Sequence, residues 1–481
     1  MSGEPRRVEV AILGAGTAGL SARRAAKKAG ARSVVMIDGG PLGTTCARVG
    51  CMPSKLLIAA AEAAHGARHA QQFGVHASDI RVDGPEVLGR VQRERDRFVS
   101  FVLGTLDEAR AQEELIEQHA KITGNGRLSL ADGSQLHYER LVIATGSSAI
   151  TPPPFRHLNT SLLSNENIFE LEKLPQSLLV IGLGVIGLEL GQAFARLGVR
   201  TTLLGVQGMI GPISDPKVLE VAQNVFSSTL DLHANYQLNH IEEDHTGVRI
   251  GFVDSQGRQR EEHFERVLMA AGRRNNLDGL GLDALGLQED ERGQYPVNPD
   301  TLQLGDGPLF TAGDANGLHP LLHEASDDGH IAGENAARYP ELRAPRRRTP
   351  LTVVFSDPQI ALVGQAYKDL SECTAAAGEV SYDDQGRSRV HGQNRGLVRI
   401  YAERRSGRLL GAEMFGPRME HMSHLLAWSV QQGLTVGAAL DMPFYHPAFE
   451  EGVRTALRDL QANLQRGERI KCRVSELGVG S

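Results

Sequence analysis

Two stretches of the chain share one pattern of apolar, glycine and small residues. Each begins with a short apolar run, passes through Gly-x-Gly-x-x-Gly, continues with helical spacing and ends in a second apolar run. Such a pattern predicts a strand, a tight turn, a helix and a second strand, which together form a βαβ unit. The predicted strands cover 8–13 and 33–37 around a helix over 20–29, and 178–181 and 201–204 around a helix over 188–197. A duplicated unit of this kind predicts two bound nucleotides.

The rest of the chain distributes its apolar positions differently. Residues 81–119 predict a long amphipathic helical region, and 140–146 predict a strand that closes on a glycine turn. The prolines at 152–154 predict a stiff connector, because consecutive prolines continue neither a helix nor a central strand. A second connector is predicted at 342–350, whose arginines could form a binding patch but favour a solvated linker. Beyond it an α+β part is predicted, with strands over 352–355, 396–401 and 408–414 and helices over 421–432 and 451–466.

Length and composition limit the classes of protein to which the chain can belong. Its 481 residues predict about three domains at roughly 150 residues each. With 41% hydrophobic and 23% charged residues, intrinsic disorder and low-complexity architecture are excluded. The net charge of -7 offers no attraction for nucleic acid or an anionic membrane, and no apolar run approaches the ~20 residues that cross a bilayer. We therefore expect a cytoplasmic protein with neither a nucleic-acid nor a membrane partner.

The segment 43–55 carries the most specific chemical signal. Cys46 and Cys51 are separated by four residues and can close a small ring, whereas the four cysteines of the chain are too few for a secreted disulfide framework. Pro53 suits the first turn of a helix, so Cys51 is expected near a helix N-terminus, where the thiolate is favoured. A thiol of low pKa beside a second thiol predicts a reversible redox pair.

Half of a zinc site and two inert core cysteines are the competing interpretations of this pair. Zinc is disfavoured because Cys373 and Cys472 form no matching pair, and inert packing leaves the surrounding glycines and Lys55 unexplained. No metal site is therefore expected.

The two glycine turns, at 14–19 and 182–187, suit the binding of a pyrophosphate. In the first glycine turn, Gly14 makes the bend, Gly16 lets the backbone approach the anion, and Gly19 lets the helix pack on the strand. Asp38, after the second strand, is placed to accept hydrogen bonds from a ribose diol. The second unit has Gly205 at the position of that acid, with no arginine immediately beside it. The choice between NAD and NADP is therefore open.

A set of motifs in sequence order carries a resemblance to a known family. The motifs are the two glycine turns, the cysteine segment 46–55, Ala-Thr-Gly at 144–146, Thr-Ala-Gly-Asp at 311–314 and His-Pro-Ala-Phe-Glu-Glu at 446–451. Together they resemble the class I flavoprotein pyridine nucleotide disulfide oxidoreductases, from residue 9 to about 460. Residues 185–191 and 322–329 look most like dihydrolipoamide dehydrogenase. Mercuric reductase is the poorer match, because its adjacent C-terminal cysteine pair is absent.

The resemblance implies roles for individual residues. Cys46 would attack the substrate disulfide, Cys51 would contact the flavin, and Lys55 would pair with Glu189 near the flavin ring to steady its developing charge. His446 would act as acid and base, oriented by Glu451 and donated by the partner subunit of a homodimer. The implied cofactors are FAD, with Asp314 on its ribitol chain, and NAD(H) or NADP(H). The implied cofactor-binding residues are Gly14, Gly16, Gly19, Asp38, Lys55, Thr145, Gly146, Gly313, Asp314, Gly182, Gly184, Gly187 and Gly272.

Histidine also suits this chemistry on physical grounds. Its unperturbed pKa of ~6.5 lets it gain and lose a proton near neutral pH. A buried structural histidine is the competing interpretation of His446, and the cysteine pair disfavours it.

Four positions depart from the dihydrolipoamide dehydrogenase pattern: Arg48, Gly205, Asn275 and Phe444. Arg48 introduces a cation between the two cysteines in sequence, where it could lower a thiolate pKa, attract an anionic substrate or point to solvent. The departures leave the reaction class standing and put lipoamide itself in question.

The resemblance implies an α/β fold class, with two Rossmann-like dinucleotide-binding domains and a C-terminal α+β dimerisation domain. The FAD-binding domain is expected over 1–150 and 275–341, the NAD(P)-binding domain over 151–274 and the interface domain over 342–481. The expected function is electron transfer between NAD(P)(H), FAD, a Cys46/Cys51 disulfide and a small-molecule or protein-bound dithiol or disulfide. A reductase of another disulfide and a low-turnover flavin redox sensor are the alternatives.

Overall fold

The computed structural model describes residues 5–290, 294–371 and 373–466, and its sheets and packed helices confirm the expected α/β class. Its strands are β1 (Arg6–Leu13), β2 (Val34–Ile37), β3 (Leu115–Ile116), β4 (Ala120–Gly124), β5 (Arg127–Leu130), β6 (Gln135–Ile143), β7 (Ser147–Ala149), β8 (Leu162–Leu163), β9 (Ser177–Ile181), β10 (Arg200–Leu204), β11 (Asp231–His233), β12 (Gln237–Asp244), β13 (Gly247–Val253), β14 (Gln259–Phe264), β15 (Arg266–Met269), β16 (Arg273–Asn275), β17 (Leu309–Thr311), β18 (Leu351–Val354), β19 (Gln359–Gly364), β20 (Ala375–Ser381), β21 (Leu397–Glu403) and β22 (Leu409–Gly416). Its α-helices are α1 (Thr17–Lys28), α2 (Thr45–Val49), α3 (Cys51–His69), α4 (Gly84–Ala111), α5 (Val185–Arg196), α6 (Pro216–Thr229), α7 (Leu322–Arg338), α8 (Gly386–Val390), α9 (Met419–Gln431), α10 (Val436–Leu440) and α11 (Glu451–Arg466).

The first sheet brings together strands that are far apart in the sequence. Its order is β3-β2-β1-β6-β5-β4, and β17 pairs with β6 as well. The strands β1, β2, β6 and β17 run parallel, so that Leu13 and Thr311 both lie opposite Ile143. Their carboxyl ends therefore meet at one edge of the sheet, which is where ligands bind in folds of this kind.

The second sheet repeats this arrangement on a smaller scale. Its order is β11-β10-β9-β15-β8, and all of these pairings are parallel. A three-stranded antiparallel sheet, β12 to β14, packs against it through apolar side chains that include Phe252 and Phe264. The short pair β7 and β16 lies between the first and second sheets in the sequence.

The C-terminal part contains a five-stranded antiparallel sheet in the order β18-β19-β22-β21-β20, which we call the third sheet. Buried charged side chains connect this sheet to the second βαβ unit. Glu413 on β22 is fully buried and accepts the backbone N–H groups of Ser214, Asp215 and Tyr367 at 2.8 Å each. Asp215 is also fully buried and pairs with Arg399. We call this set of contacts the carboxylate seam.

Both predicted βαβ units are confirmed, but their helices begin earlier than predicted. The helix α1 begins at Thr17 and α5 at Val185, because the last glycine of each turn already lies in the first helical turn. The C-terminal strands and helices that were predicted are also found, within two residues of their predicted ends.

The predicted helical region over 81–119 is wrong at its C-terminal end. The helix α4 ends at Ala111, and Leu115–Ile116 form β3 beside β2. The solvated linker predicted over 342–350 contains no helix or strand, but Arg347 in it is not free in solvent. Its guanidinium pairs with Glu324 at 3.0 Å and with the buried Asp328, because α7 presents these carboxylates to the connector.

Candidate active site

The first glycine turn is shaped by close backbone contacts between β1, α1 and β6. Gly14 has a φ of +105°, and a Cβ there would collide with the carbonyl oxygen of Ala144. A Cβ at Gly19 would collide with the carbonyl oxygen of Gly14, so only glycine lets the helix approach the strand this closely. At Gly16 no described atom lies within 4 Å of the position of a Cβ. This side of the turn is therefore open to a ligand.

The start of α1 combines backbone donors with a carboxylate. Among the described residues, no side chain caps this helix and no acidic residue lies in its first turn. Asp38 accepts the N–H of Ala15 and the N–H of Gly40, each at 2.7 Å. A helix N-terminus attracts an anion, and an adjacent carboxylate accepts from a ribose diol. The geometry therefore fits a dinucleotide.

The carboxyl ends of β6 and β17 bring four further predicted cofactor residues to the same edge. The hydroxyl of Thr145 donates to the carbonyl oxygen of Asn276 at 2.7 Å, and the N–H of Asn276 donates to the carbonyl of Gly146 at 2.9 Å. Gly313 has a φ of +67° and precedes Asp314. Asp314 accepts the hydroxyl of the first residue of β7 at 2.6 Å, which fixes its carboxylate at this edge.

The two cysteines lie on successive helices. Cys46 lies in α2 and Cys51 is the first residue of α3, so the prediction that Cys51 lies at a helix N-terminus is confirmed. A Cβ at Gly50 would lie 2.9 Å from the carbonyl oxygen of Thr45 and 3.1 Å from the Cα of Cys46, which is why glycine separates the helices. Both cysteines are free thiols, Cys46 half-buried and Cys51 exposed.

A hydrogen bond between the thiols separates their acidities. The hydrogen bond that Cys46 donates, together with the charge of Lys55, lowers the pKa of Cys51 to about 7, against the opposing effect of partial desolvation. The same hydrogen bond and burial raise the pKa of Cys46. Cys51 is therefore the thiolate of the pair near neutral pH, and Cys46 keeps its proton.

Lys55 connects the cysteine helix to the second βαβ unit. Its Nζ lies 2.7 Å from Oε2 of Glu189, a buried residue of α5. The other oxygen of Glu189 accepts the N–H of Phe355 at 3.0 Å, and the Phe355 ring centroid lies 4.6 Å from the Lys55 Nζ. The carboxylate and the ring together hold the ammonium one helical turn from Cys51.

Sequence reasoning missed Gln192, which holds the segment that carries Phe355 against α5. Its amide accepts the N–H of Asp357 at 2.7 Å and donates to the carbonyl of Asp357 at 2.8 Å. Arg196, one turn further along α5, donates to the Asp357 carboxylate at 2.7 Å. The polar positions Glu189, Gln192 and Arg196 recur at helical spacing in an otherwise apolar helix, and that pattern was the available signal.

The second glycine turn has the same backbone geometry as the first. Gly182 has a φ of +111°, and a Cβ there would collide with the carbonyl oxygen of Ala270. A Cβ at Gly187 would collide with the carbonyl oxygen of Gly182, whereas at Gly184 no described atom lies within 4 Å. No side chain among the described residues caps α5. This turn therefore also fits a pyrophosphate.

Two further positions frame the second turn. Gly272, with a φ of +115°, accepts the N–H of Ile150 at 3.0 Å just after β15. Gly205 directly follows β10 and donates its N–H to the carbonyl of His233 at 2.8 Å. No side chain at position 205 faces the turn, in contrast to Asp38 in the first unit.

The structure places His446 and Glu451 together but not with the cysteines. The Nδ1 of His446 lies 2.9 Å and 3.1 Å from the two carboxylate oxygens of Glu451, and this contact, followed by the N–H of Ala448, lowers the pKa of Glu451. The His446 side chain is 81% exposed, so the interpretation as a buried histidine is wrong. None of the hydrogen bonds between described side chains links it to Cys46 or Cys51.

Arg48 contacts the segment of the chain that precedes α2. Its guanidinium donates to the carbonyl of Pro41 at 3.3 Å, and its methylene groups lie beside Gly43. The cation that lowers the pKa of Cys51 is Lys55. Phe444, another of the four departures, has its ring centroid 5.8 Å from the Arg454 guanidinium carbon.

The described residues contain neither a group of side chains suited to a metal ion nor a membrane-spanning helix. No cluster of three or more His, Cys, Asp or Glu side chains among them is arranged to hold a metal ion, and Cys472 lies outside the described residues. No described helix is long and apolar enough to span a membrane.

Comparison with known proteins gives matches over nearly the whole chain. The sequence model of the family described as pyridine nucleotide-disulphide oxidoreductase matches residues 8–329, and that of its dimerisation domain matches residues 351–457. A mercuric reductase of Streptomyces lividans is 32% identical over 448 residues, which cover 89% of this chain and 91% of the relative. A dihydrolipoyl dehydrogenase of Halobacterium salinarum is 30% identical over 464 residues, covering 93% and 95%. Identity therefore does not rank the mercuric reductase as the poorer match.

Solved structures show the same fold. LpdA from Mycobacterium tuberculosis superimposes with a TM-score of 0.78 at 25% identity, covering 94% of this chain and 99% of that one. The HOCl-induced flavoprotein disulfide reductase RclA from Escherichia coli gives a TM-score of 0.75 at 22% identity, with the same coverage.

Proposed function

The chain belongs to the pyridine nucleotide-disulphide oxidoreductase family, whose members use FAD and NAD(P)H, and within it we propose a specific electron path. The path runs between a nicotinamide nucleotide, FAD, the Cys46 and Cys51 couple and an external dithiol or disulfide. The observation that carries the proposal is the placement of the two thiols: Cys46 lies in α2 and Cys51 is the first residue of α3, where a hydrogen bond from Cys46 and the charge of Lys55 lower the pKa of Cys51.

The residues of the two glycine turns fit the two cofactors. We assign FAD to the first turn, with Asp38 and Asp314 accepting from its hydroxyl groups, and the nicotinamide nucleotide to the second turn. The open sides of Gly16 and Gly184 and the uncapped starts of α1 and α5 support this assignment. When bound, FAD supplies an acceptor that exchanges an electron pair with a thiolate on one side and a nicotinamide on the other.

The thiol chemistry balances on the two cysteines. In the direction of dithiol oxidation, a substrate thiolate attacks Cys46 of the disulfide, forms a mixed disulfide and releases Cys51 as a thiolate. The second substrate thiolate attacks the mixed disulfide, closes the substrate disulfide and releases Cys46, which takes a proton. The substrate loses two electrons and two protons: Cys46 takes one proton, and a base takes the other and passes it to water. The Cys46 hydrogen bond and Lys55 hold the Cys51 anion.

A base is needed because the substrate thiols must lose their protons before they attack, and in the reverse direction Cys46 must lose its own. We propose His446 for this role, with Glu451 fixing its Nδ1 so that Nε2 can take up and return protons. The imidazole is exposed on a segment that matches the dimerisation domain, which supports its donation to the partner subunit's cysteines in a homodimer.

The proposed substrate is a dithiol such as dihydrolipoamide. The dihydrolipoyl dehydrogenase of Halobacterium salinarum, which matches over 93% of this chain, supports that choice. Steady-state turnover of flavin-loaded protein with dihydrolipoamide, and in reverse with lipoamide, glutathione disulfide and a protein disulfide, tests it. If the enzyme prefers glutathione disulfide or the protein disulfide, the proposed substrate changes from lipoamide to that disulfide, and the proposed reaction class stays the same.

The cysteine assignment has its own test. Cys51→Ser is expected to lower dithiol turnover by about 1,000-fold or more while flavin stays bound, because no Cys46–Cys51 disulfide can form to accept the electron pair from the substrate. Cys373→Ser is the matched control, since Cys373 is an exposed thiol outside this site. Unchanged turnover in Cys51→Ser, or the same number of free thiols titrated before and after reductant, would refute the proposal.

A further inference from the structure

The residue at the end of the second strand of a βαβ unit determines whether the unit prefers an adenosine ribose with a free 2′-hydroxyl or one with a 2′-phosphate. A carboxylate there accepts hydrogen bonds from the 2′,3′-diol and repels a 2′-phosphate, whereas an arginine nearby attracts the 2′-phosphate. In the first unit Asp38 holds this position beside the N–H of Ala15. In the second unit β10 ends at Leu204, and the next residue is Gly205.

The place of an acid in the second unit is filled by another side chain. A Cβ at Gly205 would lie 2.5 Å from Cδ1 and 2.6 Å from Cγ of Leu183, which is 5% exposed. Leu183 stands between the first two glycines of the second turn, where the first turn has Ala15. A larger residue between the glycines therefore goes with the loss of any side chain at the acid position.

The residues that follow Gly205 are uncharged. Val206 is 58% exposed, and Gln207 and Gly208 continue the loop. Val206 and Gln207 form one wall of a groove of about 400 Å³ whose other lining residues are Asn235, Tyr236, Gln237, Val253, Asp254, Ser255 and Gly257.

Asp254 is the charged residue among those that line the groove, and its carboxylate is already engaged. Its side chain is fully buried and accepts the N–H groups of Gln256 at 2.9 Å and Arg258 at 3.0 Å, while the Arg258 Nε donates to it at 2.8 Å. The negative charge of Asp254 is therefore balanced by the positive charge of Arg258. The groove thus offers amides, hydroxyls and apolar surface.

We propose that this chain recognises the adenosine ribose without a charged side chain and therefore accepts NAD(H) and NADP(H) with similar affinity. The inference rests on the proposed binding of the nicotinamide nucleotide at the second glycine turn. The pyrophosphate, which both nucleotides share, supplies the charge interaction at the start of α5. Val206 is the position at which a single new charge would create a preference.

Calorimetry with ADP-ribose and 2′-phospho-ADP-ribose on the flavin-loaded protein tests the inference without any turnover. We expect dissociation constants within about tenfold of each other, since neither a carboxylate nor an arginine discriminates. A difference greater than about 100-fold in either direction would overturn the inference.

Variants locate the ribose. Val206→Arg is expected to favour 2′-phospho-ADP-ribose by about tenfold or more, because a cation then faces the 2′-phosphate. Leu183→Ala with Gly205→Asp, which restores the arrangement of the first unit, is expected to favour ADP-ribose by a similar factor. Val75→Arg is the matched control, since Val75 is 59% exposed and lies outside both units' turns.

The outcomes separate this inference from the proposed function. An unchanged affinity ratio in a folded Val206→Arg protein would overturn the placement of the ribose, and the wild-type ratio decides the preference even where a variant fails to fold. Binding of neither ligand would overturn the inference together with the proposed nucleotide site. Equal binding of both ligands by a protein that turns over no dithiol would confirm the inference and refute the proposed function alone.

Discussion

The two βαβ units have nearly the same backbone conformation at their glycine turns and differ in the side chains around those turns. Gly14 and Gly182 have nearly the same φ, +105° and +111°, and each lies against a carbonyl oxygen of a neighbouring strand end. In the first unit a small residue, Ala15, leaves room for Asp38, whereas in the second Leu183 lies over Gly205. Under the proposed assignment, the glycines bind the pyrophosphate in both units, and the residues between and beyond them determine which contacts the adenosine ribose makes.

The helices of the two units also pack differently. In the first unit α1 approaches α7 so closely that a Cβ at Gly329 or Gly333 would collide with the carbonyl oxygens of Ala18 or Ala22. In the second unit α5 holds the segment 355–357 through the polar side chains of Glu189, Gln192 and Arg196. Small residues bring backbones together, whereas polar residues on α5 connect the cofactor edge to the third sheet.

Breaking each glycine turn should give the largest and most selective effect. Gly14→Ala is expected to yield protein without FAD, and Gly182→Ala protein that keeps FAD but loses nucleotide affinity by about 100-fold or more, because a strained backbone conformation costs about 3 kcal/mol. The absorbance ratio of flavin to protein and calorimetry with ADP-ribose measure these losses. Full flavin content in Gly14→Ala would contradict the assignment of FAD to the first unit.

Gly66→Ala is the matched control for both glycine variants. Gly66 lies in α3, and no described atom outside its own helix lies within 4 Å of a Cβ there. We expect this change to raise the free energy of unfolding by about 0.5–1 kcal/mol, since alanine restricts the unfolded chain more than glycine does.

Cys46 and Lys55, which lie where the cysteine helix meets the second unit, lower the pKa of Cys51. Removing either contact should raise that pKa, an effect of intermediate size. Cys46→Ala is expected to raise the pKa of Cys51 from about 7 more than Lys55→Met does, because the hydrogen bond from Cys46 is the larger cause. Each unit of increase lowers the thiolate fraction about tenfold at pH values below the pKa. The pH dependence of Cys51 alkylation in a Cys373→Ser background measures both shifts.

Lys217→Met serves as the control for the loss of a lysine charge. Its Nζ pairs with Glu379 at 2.7 Å, and Lys217 is not among the groups that shift the pKa of Cys51, so the pH dependence of Cys51 alkylation should not change. A lower pKa of Cys51 in Lys55→Met would contradict the role of Lys55.

The polar packing of α5 should contribute the smallest effect of the three. Gln192→Ala leaves the N–H and carbonyl of Asp357 without their partners and is expected to lower the free energy of unfolding by about 1–3 kcal/mol. Urea unfolding of flavin-loaded protein measures the loss at the first transition. Gln71→Ala, at an exposed position, should change it by no more than about 0.5 kcal/mol, and an equal loss in both variants would contradict a specific role for Gln192.

The parts of the molecule that sequence predicted well are those governed by short-range rules. The glycine turns, the helix start at Cys51 and the adjacent placement of His446 and Glu451 each depend on residues close together in the chain. The strand β3 was not predicted because two residues are too few to show the alternation of apolar and polar positions that indicates a strand. These residues pair with β2 only in the folded sheet.

Long-range contacts account for what sequence could not predict in the candidate site. Phe355 meets Glu189 from 166 positions away, and Gln192 meets Asp357 from 165. The packing of Leu183 on Gly205 is also a contact between two strand ends. The loss of the acid was visible in the sequence, but the side chain that fills its place was visible only in the structure.

The carboxylate seam limits how the second unit can move. A hinge motion that separated this unit from the third sheet would remove the N–H donors of Ser214 and Asp215 from Glu413 and the Arg399 guanidinium from Asp215, and both carboxylates are fully buried. Breaking such a buried pair costs about 3–5 kcal/mol, so the seam favours a fixed position of the second unit on the third sheet. Under the proposed nucleotide assignment, a nicotinamide nucleotide would then enter and leave by movement of loops at the second glycine turn, without rotation of the whole unit.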